Sequence, residues 1–401
     1  MTKKKEIIII GAGVIGCSIA YHLAKKGITS TIIERESIGA RASGKAWAVF
    51  SYPPYLFIAE KDPDFIYSLP EGEAMAHWQD LFWSAYYRLS HLSLDIMEKG
   101  KIDVEYGDFP STYIAMTESA EESYKALMSS LIKNGYYECE WLESDDLRAI
   151  FPGINPEVRG GLSVPQLQVE PYKFTLGLAQ AAEAMGAEVR HGDVVDFDTK
   201  GDRITSIKLA SGTRIDSDVL VLATGPWSGQ ATSLLGKEVP ILNAMTECLR
   251  VRPRKAYPEH SLRGEVTILS RVDGDVILAS AEAHTKREYF ELKTRTDFDT
   301  SLSEEVKMKN IEAAMDILPQ LLENADLVEH RGDLLAYGPD PYYHKPVMGR
   351  LSRWENGYIA ARFGALGIQM SVGAGEVMAE LIANGQVPFG AKQMMEHLSP
   401  G

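Results

Sequence analysis

Cysteine is scarce in this sequence. Cys17, Cys139 and Cys248 are its three cysteines in 401 residues, and they lie far apart. An odd number of distant cysteines without a CxxC pair fits neither a disulfide framework nor a zinc site. We therefore expect a reduced, cytoplasmic protein that holds no structural metal.

An excess of positive charge is also lacking. The chain has 41 lysines and arginines against 56 aspartates and glutamates, which gives a formal net charge of -15. Nucleic acids and anionic membrane surfaces are bound by basic faces. The charge balance therefore disfavours both as partners.

Long apolar runs are rare. A largely apolar stretch follows Lys3 to Lys5, and this arrangement resembles a signal anchor. His22 and the regular glycine spacing within the stretch argue against that interpretation. No other segment is apolar for long enough to cross a bilayer. We expect no integral membrane segment.

The same N-terminal stretch has the pattern of a nucleotide-binding βαβ unit. Ile7 to Ile10 form an unbroken β-branched run, as a parallel strand buried on both faces requires. The glycines that follow turn the chain into an amphipathic helix, whose N-terminus attracts phosphate. The candidate pyrophosphate-binding residues are Gly11, Gly13, Val14, Ile15 and Gly16.

Glu34 closes the second strand of this unit. A carboxylate about 20 residues beyond the glycines suits bidentate hydrogen bonding to the ribose of an unphosphorylated adenosine. Strand, glycines, helix, second strand and terminal acid occur in the required order, and together they predict dinucleotide binding. The length of 401 residues is large for one core and suggests two domains.

Two further segments carry a family resemblance. Residues 35–51 read RESIGARASGKAWAVFS, and residues 218–225 read DVLVLATG. With the βαβ unit, they resemble the FAD-dependent oxidoreductases that include D-amino acid oxidase, glycine oxidase and sarcosine oxidase. The resemblance implies a Rossmann-type α/β FAD-binding domain with a central parallel sheet, and a mixed α+β substrate domain with an antiparallel sheet. We assign residues 1–72, 145–228 and 333–401 to the first, and 73–144 and 229–332 to the second.

The resemblance also implies a set of cofactor contacts. One group follows Glu34: Arg35 is a cofactor contact, Arg41, Ala42 and Ser43 lie near the pyrophosphate, and Ala46, Trp47, Ala48 and Val49 lie beside the isoalloxazine. The alternative is a surface loop with a helix cap. A second group meets the adenine through backbone or passes beside the cofactor: Val194, Val195, Ala223, Thr224, Gly225 and Trp227. A third directs the N-terminus of the last helix at the flavin N1–C2 region, unless that helix is an ordinary terminal helix: Gly364, Gly367, Ile368 and Gln369.

The family's covalent flavin cysteine has no counterpart, because no cysteine follows Cys248. We therefore expect non-covalent FAD. The implied reaction is oxidation of the C–N bond of a small amine or amino acid, giving an imine, and hydrogen peroxide if oxygen is the acceptor. One alternative is a dehydrogenase, or a subunit of a larger complex, that passes electrons to a quinone or partner protein. The protein could form an oligomer in either case. Another alternative is a non-catalytic flavin-binding subunit.

The substrate side resembles the family least. Relatives that oxidise amino acids place a carboxylate-binding arginine where this chain has Leu335. Arg331 or Arg287 could replace it, or either could be a solvated strand residue. Simple amino acids are thus expected to be poor substrates unless one of these arginines reaches the site. The other polar residues expected near the substrate, each of which could instead be structural, are Tyr337, Tyr342, Tyr343 and His344.

Overall fold

A computed structural model gives the architecture of most of the chain. It describes residues 6–51, 88–133, 137–280, 289–292, 298–339, 346–387 and 400. The sequence also predicts an irregular segment over 52–72 and an amphipathic helix over 73–99; all of the first and most of the second fall outside these ranges. Four candidate substrate-side residues fall outside them as well: Arg287, Tyr342, Tyr343 and His344.

The described strands are β1 (Ile7–Ile10), β2 (Thr31–Glu34), β3 (Val49–Ser51), β4 (Tyr106–Asp108), β5 (Ser111–Ala115), β6 (Glu140–Glu143), β7 (Gly160–Val164), β8 (Gln166–Val169), β9 (Glu188–His191), β10 (Val194–Lys200), β11 (Arg203–Leu209), β12 (Arg214–Asp216), β13 (Val219–Leu222), β14 (Leu242–Pro253), β15 (Ser261–Arg263), β16 (Val266–Ser270), β17 (Val276–Ser280), β18 (Ala325–Tyr337), β19 (Val347–Arg350) and β20 (Gly357–Ala361). The described helices are α1 (Val14–Lys25), α2 (Ala42–Lys45), α3 (88–100), α4 (Glu118–Lys133), α5 (Ser144–Ile150), α6 (Pro171–Ala184), α7 (Ser228–Leu234), α8 (Glu304–Ile317), α9 (Pro319–Glu323) and α10 (Gly367–Asn384).

A six-stranded sheet forms the centre of the cofactor half. Its strand order is β19-β20-β13-β1-β2-β9, and the strands from β20 to β9 are parallel. All four residues of β1 are buried, as its β-branched run predicts. The βαβ unit and the parallel sheet expected from the sequence are therefore confirmed.

Helices cover one face of this sheet at close range. Ser18 Oγ of α1 donates to the Ser371 carbonyl of α10 at 2.8 Å. A Cβ at Gly375 would overlap the Ser18 hydroxyl, so glycine is what allows the two helices to approach. Residues 364–384, within which α10 lies, form the one described helix long and apolar enough to cross a membrane; more than half of its apolar window is buried inside the protein.

An eight-stranded, mostly antiparallel sheet forms the second half. Its order is β18-β14-β17-β16-β15-β5-β7-β6. The long pair β14 and β18 runs from Leu242 opposite Tyr337 to Pro253 opposite Ala325. Smaller sheets, β3-β8-β4 and β10-β11-β12, complete the described fold. The α/β fold with a second antiparallel sheet agrees with the prediction.

Strand pairing follows the predicted domain limits incompletely. β7 lies in the range 145–228, which we assigned to the cofactor domain, yet it pairs with β5 and β6 in the eight-stranded sheet. β18 runs without interruption across residue 333. β7 and β18 keep their hydrogen-bonded partners in the eight-stranded sheet, so the boundaries at residues 145 and 333 do not separate the two sheets. The helices α8 and α9 are separated at Pro319, which lacks an amide hydrogen.

Candidate cofactor and substrate site

The predicted cofactor residues meet at one edge of the six-stranded sheet. Gly11 follows β1, Glu34 ends β2, Ala223 follows β13, and Arg362 follows β20. Because these strands are parallel, their carboxyl ends share an edge. Ligands of open α/β sheets bind at this edge.

Close backbone contacts explain two of the glycines. Gly11 has φ of +103°, and a Cβ there would collide with the Ala223 carbonyl oxygen and lie 3.1 Å from its carbon. A Cβ at Gly16 would overlap the carbonyl oxygen of Gly11. The first strand, the first helix and the segment after β13 can therefore approach one another only because side chains are missing.

Ser43 connects α2 to the start of α1. Its Oγ accepts a hydrogen bond from the Val14 amide at 3.0 Å. A Cβ at Gly13 would lie 3.1 Å from the same oxygen. The predicted pyrophosphate residues Ala42 and Ser43 are thus brought against the N-terminus of α1, which favours negative charge.

Glu34 lies half-buried at the adenosine end. Its carboxylate accepts hydrogen bonds from the Ala12 amide at 2.7 Å and the Glu36 amide at 2.8 Å. Each carboxylate oxygen keeps a second lone pair, enough for the two hydroxyls of a ribose. The Gly192 amide donates to the Glu34 carbonyl at 2.8 Å. This bond brings the start of β10, with Val194 and Val195, near Glu34.

Two arginines and two aromatic rings form the next part of the edge. The Arg35 guanidinium lies 4.0 Å from the ring centroid of Trp227, and that of Arg41 lies 4.9 Å from the ring of Phe298. The two rings meet edge to face at 5.3 Å. One terminal nitrogen of Arg35, Nη2, is buried without a hydrogen-bond partner. A cation held by stacking and left with an unsatisfied donor fits a phosphate.

Buried arginines hold the segment predicted to lie beside the isoalloxazine. Arg331 Nη2 donates to the Ala46 carbonyl at 3.0 Å, and Arg271 Nη1 donates to the Trp47 carbonyl at 2.9 Å. Arg271 Nη2 also donates to the Val169 carbonyl at 2.8 Å. Burial, together with the charge of Arg331, lowers the pKa of Arg271 to about 10.

Ala48 completes this support. Its φ is +56°, a left-handed conformation that a non-glycine residue seldom adopts. Its carbonyl accepts from the Val169 amide at 3.1 Å. Consecutive carbonyls from Ala46 to Ala48 are therefore each fixed by a donor, so the segment is held in one conformation.

Lys45 and Asp333 make a further connection between the cofactor loop and β18. Lys45 Nζ donates to Asp333 Oδ2 at 2.9 Å, and Asp333 is 1% exposed. The Arg41 guanidinium lies 3.9 Å from the same oxygen. The carboxylate thereby balances the positive charge of Lys45 and Arg41 beside the residues predicted to bind the pyrophosphate.

The last helix begins at the same edge. Gly364 has φ of +52° and opens a single turn of 3-10 helix, after which α10 starts at Gly367. Ile368 and Gln369 are buried in its first turn. The predicted N-terminus is therefore present at the cofactor edge.

The structure places the described substrate-side residues as follows. Tyr337 ends β18, is 2% exposed, and contacts Tyr289 edge to face at 5.3 Å. Leu335 is half-buried and opposes Ala244 across the ladder. Arg331 is 6% exposed and bonded to Ala46, so its described contacts support the loop, and its role toward substrate stays a prediction. No group of His, Cys, Asp or Glu within the described ranges could hold a metal.

Sequence reasoning missed several residues of this site. Phe298 lies in a segment without periodicity, and Arg271 lies beyond the end of a strand, so neither carries a motif. Arg362 was also missed, although its place directly after a buried strand at the cofactor edge could have identified it.

A parallel sheet with glycines at its carboxyl edge, a carboxylate at the end of the second strand and an arginine with one unsatisfied terminal nitrogen is the arrangement typical of dinucleotide-binding proteins. The family model described as FAD dependent oxidoreductase matches residues 6–381. The chain belongs to this family, and its cofactor is FAD. The features above fit FAD as the bound group, since they provide for a ribose, a pyrophosphate and a flavin in order along one edge.

Relatives of known function support the family at low identity. Glycine oxidase of Bacillus licheniformis is 25% identical over 399 residues, covering 96% of this chain and 95% of that protein. Mitochondrial sarcosine dehydrogenase of Mus musculus is 24% identical over 399 residues, 95% of this chain. The chain spans 40% of that dehydrogenase and 43% of human dimethylglycine dehydrogenase.

Solved structures agree on the fold. Glycine oxidase from Bacillus cereus superposes with a TM-score of 0.77 at 23% identity, covering 98% of each chain. L-proline dehydrogenase from P. horikoshii gives 0.75 at 21% identity, covering 100% of this chain and 98% of that one. At these identities the likeness concerns the fold alone.

Proposed function

We propose that the protein oxidises the C–N bond of a small amine or amino acid, using non-covalently bound FAD. The observation that carries the proposal is the meeting of two sheets at the cofactor edge. The segment 46–48 leads into β3. Arg331 of β18 donates to its Ala46 carbonyl, and Arg271 donates to its Trp47 carbonyl. Relatives named as glycine oxidase and sarcosine dehydrogenase support an amine substrate.

The proposed reaction is a two-electron oxidation of the substrate. The substrate's α-carbon loses a hydrogen with two electrons, its nitrogen loses a proton to solvent, and the C–N single bond becomes C=N. FAD supplies the acceptor for the two electrons and one hydrogen. Water then adds to the imine, releasing a carbonyl compound and ammonia or an amine.

This chain's own residues supply position and electrostatics. The pair Arg35 and Arg41 is held over Trp227 and Phe298, where it would bind the pyrophosphate. The fixed carbonyls from Ala46 to Ala48 would set one wall beside the flavin. The N-terminus of α10 would place backbone amides where negative charge develops in the reduced cofactor.

The acceptor of the electrons divides the proposal into two forms. Oxygen as acceptor gives hydrogen peroxide, as the relatives named oxidases suggest, whereas a quinone or partner protein would make the chain a dehydrogenase, as other relatives are named. The free, buried cysteines support a reducing compartment such as the cytoplasm. Stopped-flow mixing of the reduced protein with air separates the two: fast reoxidation supports the oxidase, and slow reoxidation supports the dehydrogenase.

An anaerobic screen tests the proposal itself. The FAD-loaded protein is mixed with a panel of small amines and amino acids, and bleaching of the flavin absorbance is followed. At least one compound should bleach the flavin. A protein that binds FAD, is reduced by dithionite, and yet reacts with no amine would contradict the proposal and favour a non-catalytic flavin-binding subunit.

A further inference from the structure

We propose that Arg362 binds a carboxylate of the substrate, next to the amine that is oxidised. The inference rests on the proposed function, and it names the substrate class as a carboxylate-bearing amine. Arg362 directly follows β20 of the cofactor sheet. The position on β18 where an arginine was expected holds Leu335 instead.

Arg362 lies where the two sheets meet. It follows the last residue of β20, and it precedes the turn Gly364–Leu366 that opens into α10. Its φ is +66°, in the left-handed region that a long side chain seldom adopts. Such a conformation persists only where surrounding structure imposes it, and it occurs most often at ligand sites.

The guanidinium is packed against Gly338, the residue after β18. A Cβ at position 338 would lie 2.6 Å from Cζ and 2.9 Å from Nε of Arg362, and it would overlap Nη2. The arginine therefore occupies the volume that any side chain at 338 would take. The absence of a side chain at Gly338 is therefore what leaves room for the Arg362 guanidinium.

The charge of Arg362 has no partner among the described residues. Its Nε is buried without a hydrogen bond, and no ion pair to it is found in the described part of the chain. Burial lowers the pKa of its guanidinium, and no carboxylate of a described residue opposes that change. An arginine nevertheless stays protonated in proteins, so a half-buried cation here calls for an anion supplied from outside.

The other buried arginines near the loop are already engaged. Arg331 has one unpartnered nitrogen, Nε, but it donates through Nη2 to the Ala46 carbonyl and pairs with Glu329. Arg271 donates to the carbonyls of Trp47 and Val169. Arg362 differs from both, because none of its nitrogens makes a hydrogen bond or an ion pair with a described residue. Its planar fork matches a carboxylate, which accepts two parallel hydrogen bonds.

The first experiment measures anion binding without turnover. FAD-loaded parent protein, Arg362→Met and Gly338→Ala are titrated with acetate and with its neutral analogue acetamide, following the flavin spectrum. Arg362→Met should weaken acetate binding about ten- to a hundredfold, the loss of one charge-assisted pair, and leave acetamide binding unchanged. Gly338→Ala should also weaken acetate binding, since its Cβ displaces the guanidinium. Arg350→Met, an exposed arginine on β19, is the matched control and should bind acetate as the parent does.

The second experiment compares substrates that differ in the carboxylate alone. Anaerobic flavin reduction is measured for glycine and methylamine, and for alanine and ethylamine. Arg362→Met should lose the advantage of the amino acid over its decarboxylated partner, and Arg362→Lys should restore part of it. If no amine reduces the parent protein, the proposed function fails, while the acetate titration still decides the role of Arg362.

Three results would overturn the inference. The first is an acetate affinity within twofold of the parent in folded, FAD-loaded Arg362→Met. The second is an equal loss in Arg350→Met, which would indicate bulk charge. The third is loss of FAD from both Arg362→Met and Arg362→Lys, which would place the guanidinium at the cofactor.

Discussion

Arg331 and Ala46 join the two halves of the protein through one hydrogen bond. Arg331 Nη2, on β18 of the eight-stranded sheet, donates to the Ala46 carbonyl at 3.0 Å across 285 residues of sequence. Ala46 belongs to the segment expected beside the isoalloxazine. The position of that segment therefore depends on a side chain of the other sheet, so damage to the sheet contact is expected to reach the flavin.

Replacing Arg331 tests this coupling. In Arg331→Met the Ala46 carbonyl loses a charged donor, which should lower the free energy of unfolding by about 1.5–3 kcal/mol. FAD affinity should fall in parallel. Urea denaturation and FAD titration measure both quantities. Arg190→Met is the control, because Arg190 is exposed and pairs with its neighbour Glu188, so its change should stay within about 0.5 kcal/mol. Parent-like stability and FAD affinity in Arg331→Met would refute the coupling.

Glu34 offers a second test at the opposite end of the cofactor. Glu34→Arg replaces the acceptor of the ribose hydroxyls with a cation, and we expect FAD binding to weaken at least about tenfold in a folded protein. Glu34→Gln should have a smaller effect, because one carbonyl oxygen remains as acceptor. Fluorescence titration with FAD gives the affinities, and circular dichroism confirms folding. An unchanged affinity in folded Glu34→Arg would mean that this carboxylate does not bind the ribose.

The three cysteines lead to a prediction about the flavin linkage. Cys17 lies in α1, Cys139 precedes β6, and Cys248 lies in β14; all three are buried, and none forms a disulfide. Burial raises the pKa of the Cys17 and Cys248 thiols, which keeps them protonated and unreactive. Acid precipitation should therefore release all the FAD into the supernatant. Yellow colour that stays with the denatured chain would show a covalent bond and contradict this prediction.

His22 should make stability depend on pH. Burial between α1 and α10, with added repulsion from Lys25, lowers the pKa of His22 to about 3. The unfolded chain keeps a pKa of about 6.5, so acid protonates the unfolded state first, and stability falls as the pH drops below that value. The loss at pH 5 should be roughly 2 kcal/mol.

Comparison with His22→Gln isolates this effect. Other groups that titrate in the same range, such as the buried His260, contribute equally to both proteins. The parent should lose more unfolding free energy than His22→Gln between pH 7 and pH 5, as measured by urea denaturation of the FAD-loaded protein. Equal losses would show that His22 does not titrate differently in the folded state.

The cofactor half could be predicted from sequence because its signals are local. The run Ile7 to Ile10, the glycines that follow and Glu34 lie within one short βαβ unit, where period, turn chemistry and spacing all apply. In the structure Gly11 lies against Ala223, and α10 begins after β20, the neighbour of β13. Distant segments could be assigned to one edge because each follows a strand of the parallel sheet.

The substrate half was predicted less well, for physical reasons. The role of Arg331 toward substrate stays a prediction, and the hydrogen bond from its guanidinium to the Ala46 carbonyl is a contact that no spacing rule indicates. Arg362 fills the space above Gly338 from a strand of the other sheet. Such pairings depend on how two sheets meet, and the sequence carries no periodic signal for them.

The central claim, oxidation of an amine C–N bond, is tested most directly by a single turnover without oxygen. The FAD-loaded protein is mixed with a limiting amount of an amine that bleaches the flavin, and the carbonyl product, released ammonia or amine, and reduced flavin are quantified. The account predicts one carbonyl and one ammonia or amine for each flavin reduced. Flavin reduction without a matching carbonyl product would contradict it.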